Sequence, residues 1–106
     1  MICKQVNVPT TATSVYNLMK SYLSAAEVAA IDDYNQQLKF NVLLQVTSSN
    51  SQTVCVGGAT DQEYYLVKPA STATNQYEFN KQSITEIFIR GTGGDKVTIV
   101  LLPCSN

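Results

Sequence analysis

The chain contains no histidine and no tryptophan, and Arg90 is its only arginine. Without imidazole, His-based acid–base catalysis and His metal ligation are both excluded. One guanidinium nearly excludes bidentate phosphate clamps as well. Charge is scarce: Asp, Glu, Lys and Arg make up 14% of the residues, against about 25% in typical domains. Seven basic and eight acidic residues leave a net charge of -1. A nucleic-acid partner would need a basic excess to displace counterions from phosphates. The longest apolar clusters lie around Leu43-Leu44 and at Ile99-Val100-Leu101-Leu102, far short of the roughly 20 residues of a membrane-spanning helix. The opening Met1-Ile2-Cys3-Lys4-Gln5-Val6-Asn7-Val8 has no signal-peptide core. The expectation is a soluble chain made in the cytosol, with no nucleic acid and no membrane as partner.

Local chemistry narrows the field further. Cys3, Cys55 and Cys104 are odd in number, widely spaced and include no C-x-x-C pair, which argues against a disulfide framework and against zinc. They read as small apolar residues on strands. The alternative, a Cys3–Cys104 bond, requires the chain ends on adjacent strands with Cα atoms within about 7 Å. Asp32-Asp33 and Asp61-x-Glu63 are the clustered carboxylates. The first pair suits the solvated end of a helix, and nothing nearby completes a Ca²⁺ ligand set around the second. Gly91-Thr92-Gly93-Gly94 superficially resembles a phosphate-cradling loop, but a strand follows it where such a loop needs a helix. Serine and threonine are abundant, yet no base marks one of them as a nucleophile. No catalytic, cofactor-binding or metal-binding residue is therefore expected, no cofactor is implied, and the chain does not read as an enzyme.

What the chain has in quantity is uncharged polarity. Nine Ser, eleven Thr, eight Asn and eight Gln make up a third of it, beside 44% hydrophobic residues. Its 106 residues fit one domain, residues 1–106, and leave no room for a second core. Period two over residues 2–8, ended by Pro9, predicts a strand. The period then becomes helical: Val15, Leu18, Met19, Tyr22 and Leu23 share one stripe. Ser24-Ala25-Ala26-Glu27 matches a capping box opening a second helix to about Asp33, with Val28 and Ile31 inward. The pattern leaves open whether the two are one kinked helix. Period two returns with Phe40, Val42, Leu44 and Val46 on one face. A polar loop spans 47–53, and strands follow at Val54-Cys55-Val56 and Glu63–Val67. Tyr64 and Tyr65 point to opposite faces there, so one is an exposed aromatic or lies partly under a loop. A loop over 70–76 precedes a short strand at Tyr77–Phe79. Two β-branched runs, Ile84–Arg90 and Lys96–Leu102, flank Gly91–Asp95 and predict a closing antiparallel hairpin. The expected core is Phe40, Val42, Leu44, Val54, Val56, Ile87, Ile89, Val97, Ile99 and Leu101.

Short strands at near-regular spacing give the fold class: mainly β, an antiparallel, jelly-roll-like β-sandwich with a helical insertion at about residues 14–35. In order, Val6-Asn7-Val8-Pro9-Thr10-Thr11-Ala12, Val42-Leu43-Leu44-Gln45-Val46, Val54-Cys55-Val56-Gly57-Gly58 and the run Ile87–Ile99 follow one another. This order resembles small β-sandwich structural proteins of tailed bacteriophage virions, over about two thirds of the chain. The stretch Ser14–Asp33 departs from the plainest versions of the pattern. The resemblance implies a non-enzymatic virion structural protein, synthesised in the host cytoplasm, most simply a capsid decoration or cement protein. Head–tail connector, tail or fibre accessory proteins are the alternative within that class, and a small carbohydrate- or ligand-binding β-sandwich module is the alternative outside it. Expected partners are other virion proteins, the major capsid protein or neck and tail subunits, and further copies of the chain in a homo-oligomer. A low-charge surface offers little repulsion to such packing.

Overall fold

Sustained alternation in the sequence becomes long strand. In the computed structural model, which describes residues 2–37, 40–62, 64–66 and 74–103, β1 spans Ile2–Asn7, β3 Phe40–Thr47, β6 Thr74–Gln82 and β8 Lys96–Pro103. These four form a large antiparallel sheet in the order β1-β8-β3-β6. Buried side chains fall at every second position, Phe40, Val42, Leu44 and Val46 on β3 and Val97, Ile99 and Leu101 on β8, as a pleated strand with one face in a core requires. Cross-strand register stacks them: Val6 opposes Val97, Ile99 opposes Leu44, and Val42 lies between Leu101 and Phe79. Tyr77 and Phe79 share a face of β6 and meet edge to face, with ring centroids 4.8 Å apart, a favourable quadrupole geometry.

Four shorter strands form a small antiparallel sheet in the order β2-β7-β4-β5. They are β2 (Thr13–Ser14), β4 (Val54–Gly57), β5 (Tyr64–Leu66) and β7 (Phe88–Arg90). Val54, Val56 and Ile89 of this sheet share one apolar core with the large sheet. The chain is thus mainly β, with two antiparallel sheets in an arrangement compatible with a β-sandwich. All ten expected core residues are buried, and Val6, Val8, Val15, Met19, Ile31, Val46 and Ile84 join them.

Two separate helices lie between β2 and β3, α1 (Val15–Lys20) and α2 (Ala25–Gln37). The first-turn N–H groups of α1 need outside acceptors. Ser14 Oγ accepts from Asn17 N, Ile87 O from Val15 N and Ile84 O from Tyr16 N. The capping box opens α2 as the sequence predicts: Ser24 Oγ accepts from Glu27 N at 3.2 Å, and Glu27 Oε1 accepts from Ser24 N at 3.0 Å. The Ser24 N–H, donating to the carboxylate and favouring its ionised form, holds the Glu27 pKa below its ordinary value. Val15, Met19 and Ile31 are buried, while Tyr22 stays 39% exposed at the rim of its stripe. No helix among the described residues is long and apolar enough to cross a membrane.

The structure corrects three expectations. Ile84–Arg90 and Lys96–Leu102 do not form a hairpin: β7 pairs with β2 and β4, whereas β8 pairs with β1 and β3. Gly91–Asp95 instead carries the chain from the small sheet to the large one alongside the β1–β2 connection, with Gly91 N donating to Pro9 O and Val8 N to Asp95 O. A Cβ on Gly91 would stand 2.7 Å from Val8 Cγ1, so close passage needs glycine there; Gly94, at φ +93, is the position needing left-handed backbone. The strand expected from Ile84 begins only at Phe88, because the carbonyls of Ile84 and Ile87 cap α1 and residues 84–86 turn. The strand expected at Tyr77–Phe79 runs from Thr74 to Gln82 and takes up residues 74–76 of the expected loop.

Candidate interaction surface

The sequence-level candidates for chemistry disperse in the fold. Asp32 Oδ1 accepts a 2.6 Å hydrogen bond from Tyr16 OH. That bond, with Asp32's charge beside it, raises the Tyr16 pKa. Lys20 Nζ lies 5.3 Å from the centroid of the same ring, within cation–π range. Asp32 therefore anchors α1 to α2 and has one neighbour already committed. Glu63, the partner of Asp61, lies outside the described residues, as do the side-chain directions of Tyr64 and Tyr65. No group of three Cys, Asp or Glu side chains able to hold a metal occurs among the described residues. Cys3 is an exposed free thiol and Cys55 a half-buried one; Cys104, and with it the Cys3–Cys104 alternative, lies outside the described residues.

Polar ties that the sequence did not announce hold the loops at one end. Asp95, only 5% exposed, accepts from Ser51 N at 2.8 Å, Ser51 Oγ at 3.0 Å and Gln52 N at 3.0 Å. Beside it, Asn50 donates to Lys96 O and accepts from Lys96 N, both at 2.8 Å. Its amide thereby copies a strand partner for one residue of β8. A third tie crosses the small sheet: Gln62 Nε2 donates to Gly58 O at 2.6 Å and Ala59 O at 3.1 Å, while its Oε1 accepts from Arg90 Nε at 3.0 Å. The only guanidinium is therefore engaged within the fold. Within the polar loop 47–53, the backbone N–H groups of Ser51 and Gln52 are turned inward to Asp95. Buried polar groups with every partner supplied rigidify a fold.

Each edge strand of the large sheet carries a local feature that discourages pairing with a further strand. At β1, Tyr22 Oη accepts the outward N–H of Asn7 at 3.1 Å, and Lys4 sits between Ile2 and Val6 on the inward-facing set. At β6 the register slips between Phe40 and Val42; Lys81 takes φ 54 and donates its N–H to Asn41 Oδ1 at 3.0 Å. Bulges and edge lysines discourage edge-to-edge pairing.

Among the described residues, the outer face of the large sheet carries only exposed and half-buried side chains. Register places its side chains in cross-strand rows. One reads Gln5, Thr98, Gln45, Gln76 and the next Cys3, Val100, Leu43, Glu78, each in the order β1, β8, β3, β6. Leu102 lies beyond the second row, opposite Asn41, and is 36% exposed. Leu43 and Val100 are half-buried. Charge enters only at the margins, as Glu78 on edge strand β6 and Lys96 at the start of β8, where its ammonium is bonded to Asn7 Oδ1. A sequence signal for this face does exist. Val42-Leu43-Leu44 and Ile99-Val100-Leu101-Leu102 are unbroken apolar runs, where a strand with one solvated face should alternate. No family model, no curated protein and no solved structure matches the chain.

Proposed function

We propose that the chain is a non-enzymatic structural protein of a tailed-bacteriophage virion, a capsid decoration or cement protein present as repeated copies. We read its two sheets as a jelly roll, with α1 and α2 as a helical insertion between β2 and β3. The strand orders β1-β8-β3-β6 and β2-β7-β4-β5 support this, because two Greek keys wound together give two four-stranded antiparallel sheets with the chain crossing repeatedly between them. Jelly rolls recur in viral capsid domains, lectins and cupins. The metal-dependent enzymes of the last group rely on His ligands, and this chain has no His. Fold alone assigns no role.

The observation that carries the reading is the outer face of the large sheet, a surface with an apolar row, an uncharged polar row and charge only at its margins. Such a face binds by area and short polar contacts, not by long-range attraction, and suits a permanent place in an assembly. Co-sedimentation of the purified protein with particles lacking it, across a salt series, tests the role. Binding that changes little from low to molar salt is expected, since screening acts on charges. No binding at any salt rejects the role, and imaging that places the protein at the neck or tail reassigns it there.

A further inference from the structure

We infer that the outer face of the large sheet is a homotypic interface, on which a second copy stacks face to face about a two-fold axis running along the strands. This deepens the homo-oligomeric part of the proposed role and names its surface.

The two rows carry the inference. A two-fold axis parallel to the strands and midway between β8 and β3 reverses each row from left to right. Cys3-Val100-Leu43-Glu78 then meets Glu78-Leu43-Val100-Cys3, so Val100 of each copy lies over Leu43 of the other. Gln5-Thr98-Gln45-Gln76 likewise meets itself reversed. Apolar side chains face apolar ones and amides face amides or hydroxyls, and no row has to slip. Glu78 falls at the outer margin over Cys3, where water reaches it. An axis across the strands, through the apolar row, would instead place Glu78 over its own copy, and like charges repel. A strongly charged partner is disfavoured for a further reason: this face has no central counter-charge to pair with it, and a buried unpaired charge is costly.

Area sets the strength. Four strands about 4.8 Å apart carry four same-face rows about 6.8 Å apart, from Lys96 to Leu102 on β8 and from Asn41 to Thr47 on β3, and so present at most roughly 500 Å² per copy. The total of about 1,000 Å² lies at the lower limit for a specific interface. The contact is consequently reversible in dilute solution and persists where many copies are held together, as linked sites reinforce one another.

Sedimentation velocity over a wide concentration range, with circular dichroism to verify folding, tests the inference. The wild type should pass from monomer to dimer as concentration rises. Leu43→Lys and Val100→Glu, each on the solvent side of the sheet, should each remain folded and self-associate about tenfold or more weakly. The decisive arm mixes these two variants. In the inferred arrangement position 43 of one copy faces position 100 of the other, so the mixture should recover the dimer, more strongly at low salt. A wild type that stays monomeric at every concentration overturns the inference, as does a mixture that fails to recover. Should either variant unfold, Leu43→Thr and Val100→Thr, which keep the strand and remove apolar area, replace them and must weaken the dimer. Co-sedimentation with particles is read separately, so a monomer that still binds them rejects the homotypic contact and leaves the virion role standing.

Discussion

The two sheets reach order by different means. Strands of the large sheet run for six to nine residues, and backbone ladders with alternating apolar side chains define it. Strands of the small sheet run for two to four residues, too few for ladders to fix a register alone. There the chain relies on side chains acting as backbone partners: Gln62 joins the 58–59 turn to Arg90, and Asp95 and Asn50 bind the turn between β3 and β4 to the crossover entering β8. The difference teaches that polar side chains bonded to backbone groups, charged or not, can replace strand length where a strand must be short.

The largest effect expected is one that ignores the difference. Ile89 in the small sheet and Ile99 in the large are both fully buried in the common core. Ile89→Ala and Ile99→Ala should each cost about 2–5 kcal/mol in denaturant unfolding. A loss under about half a kcal/mol at Ile89 alone would mean that the small sheet is not part of the cooperative unit. Next comes the polar tie. Asp95→Ala strands the Ser51 and Gln52 amides and should cost about 1–3 kcal/mol. Amide hydrogen exchange should then quicken around residues 50–53 before it does in β3 or β8. Uniform acceleration would show that the tie supports both sheets equally.

A smaller effect of opposite sign belongs to the large sheet. Lys81 holds φ 54 in the β6 irregularity, a region that favours glycine. Lys81→Gly should be neutral or stabilising by up to about 1 kcal/mol. The subtlest effect concerns α2. The Glu27 pKa is lowered by its bond with the Ser24 amide. Its contribution is therefore complete above the ordinary carboxylate value and disappears as pH falls through the lowered, folded-state value. Glu27→Gln should lose at neutral pH the small contribution that the wild type loses on acidification, and so flatten the acid limb; identical acid limbs would show the box to be open in solution. Tyr16 shows the reverse sign. Its pKa is raised by the bond to Asp32, so that contact contributes below the ordinary tyrosine value and is lost as pH rises through the folded-state one.

Legibility in the sequence followed the length of each pattern. Sustained alternation on β3 and β8 named their buried faces correctly, and Ser24 with Glu27 located the start of α2, because periodicity and capping are local properties. Ile84–Arg90 and Lys96–Leu102 have the composition of a paired ribbon, so the sequence points to a hairpin, while their true partners are distant in sequence. Only contacts from Val8, Pro9, Ser51 and Gln52 assign Gly91–Asp95 to a crossover, and none of them is visible from inside the segment. The outer face was available in principle through the extra apolar residues Leu43 and Val100. Asp95 and Asn50 were not, since a lone Asp after glycines and an Asn among serines are ordinary loop composition.

The crossover has a kinetic consequence. Asn7 and Lys96, neighbours in the large sheet, are 89 positions apart, and β8 inserts between β1 and β3. Until β8 arrives, β1 has no strand beside it and β3 has only β6, so the chain must close nearly its longest available loop late in folding. High contact order of this kind slows the search for the native state. It also leaves two unsatisfied edges waiting in a nascent or truncated chain. A chain cut before Lys96 should therefore aggregate instead of forming half a molecule, and the last strand acts as the keystone that makes assembly all-or-none.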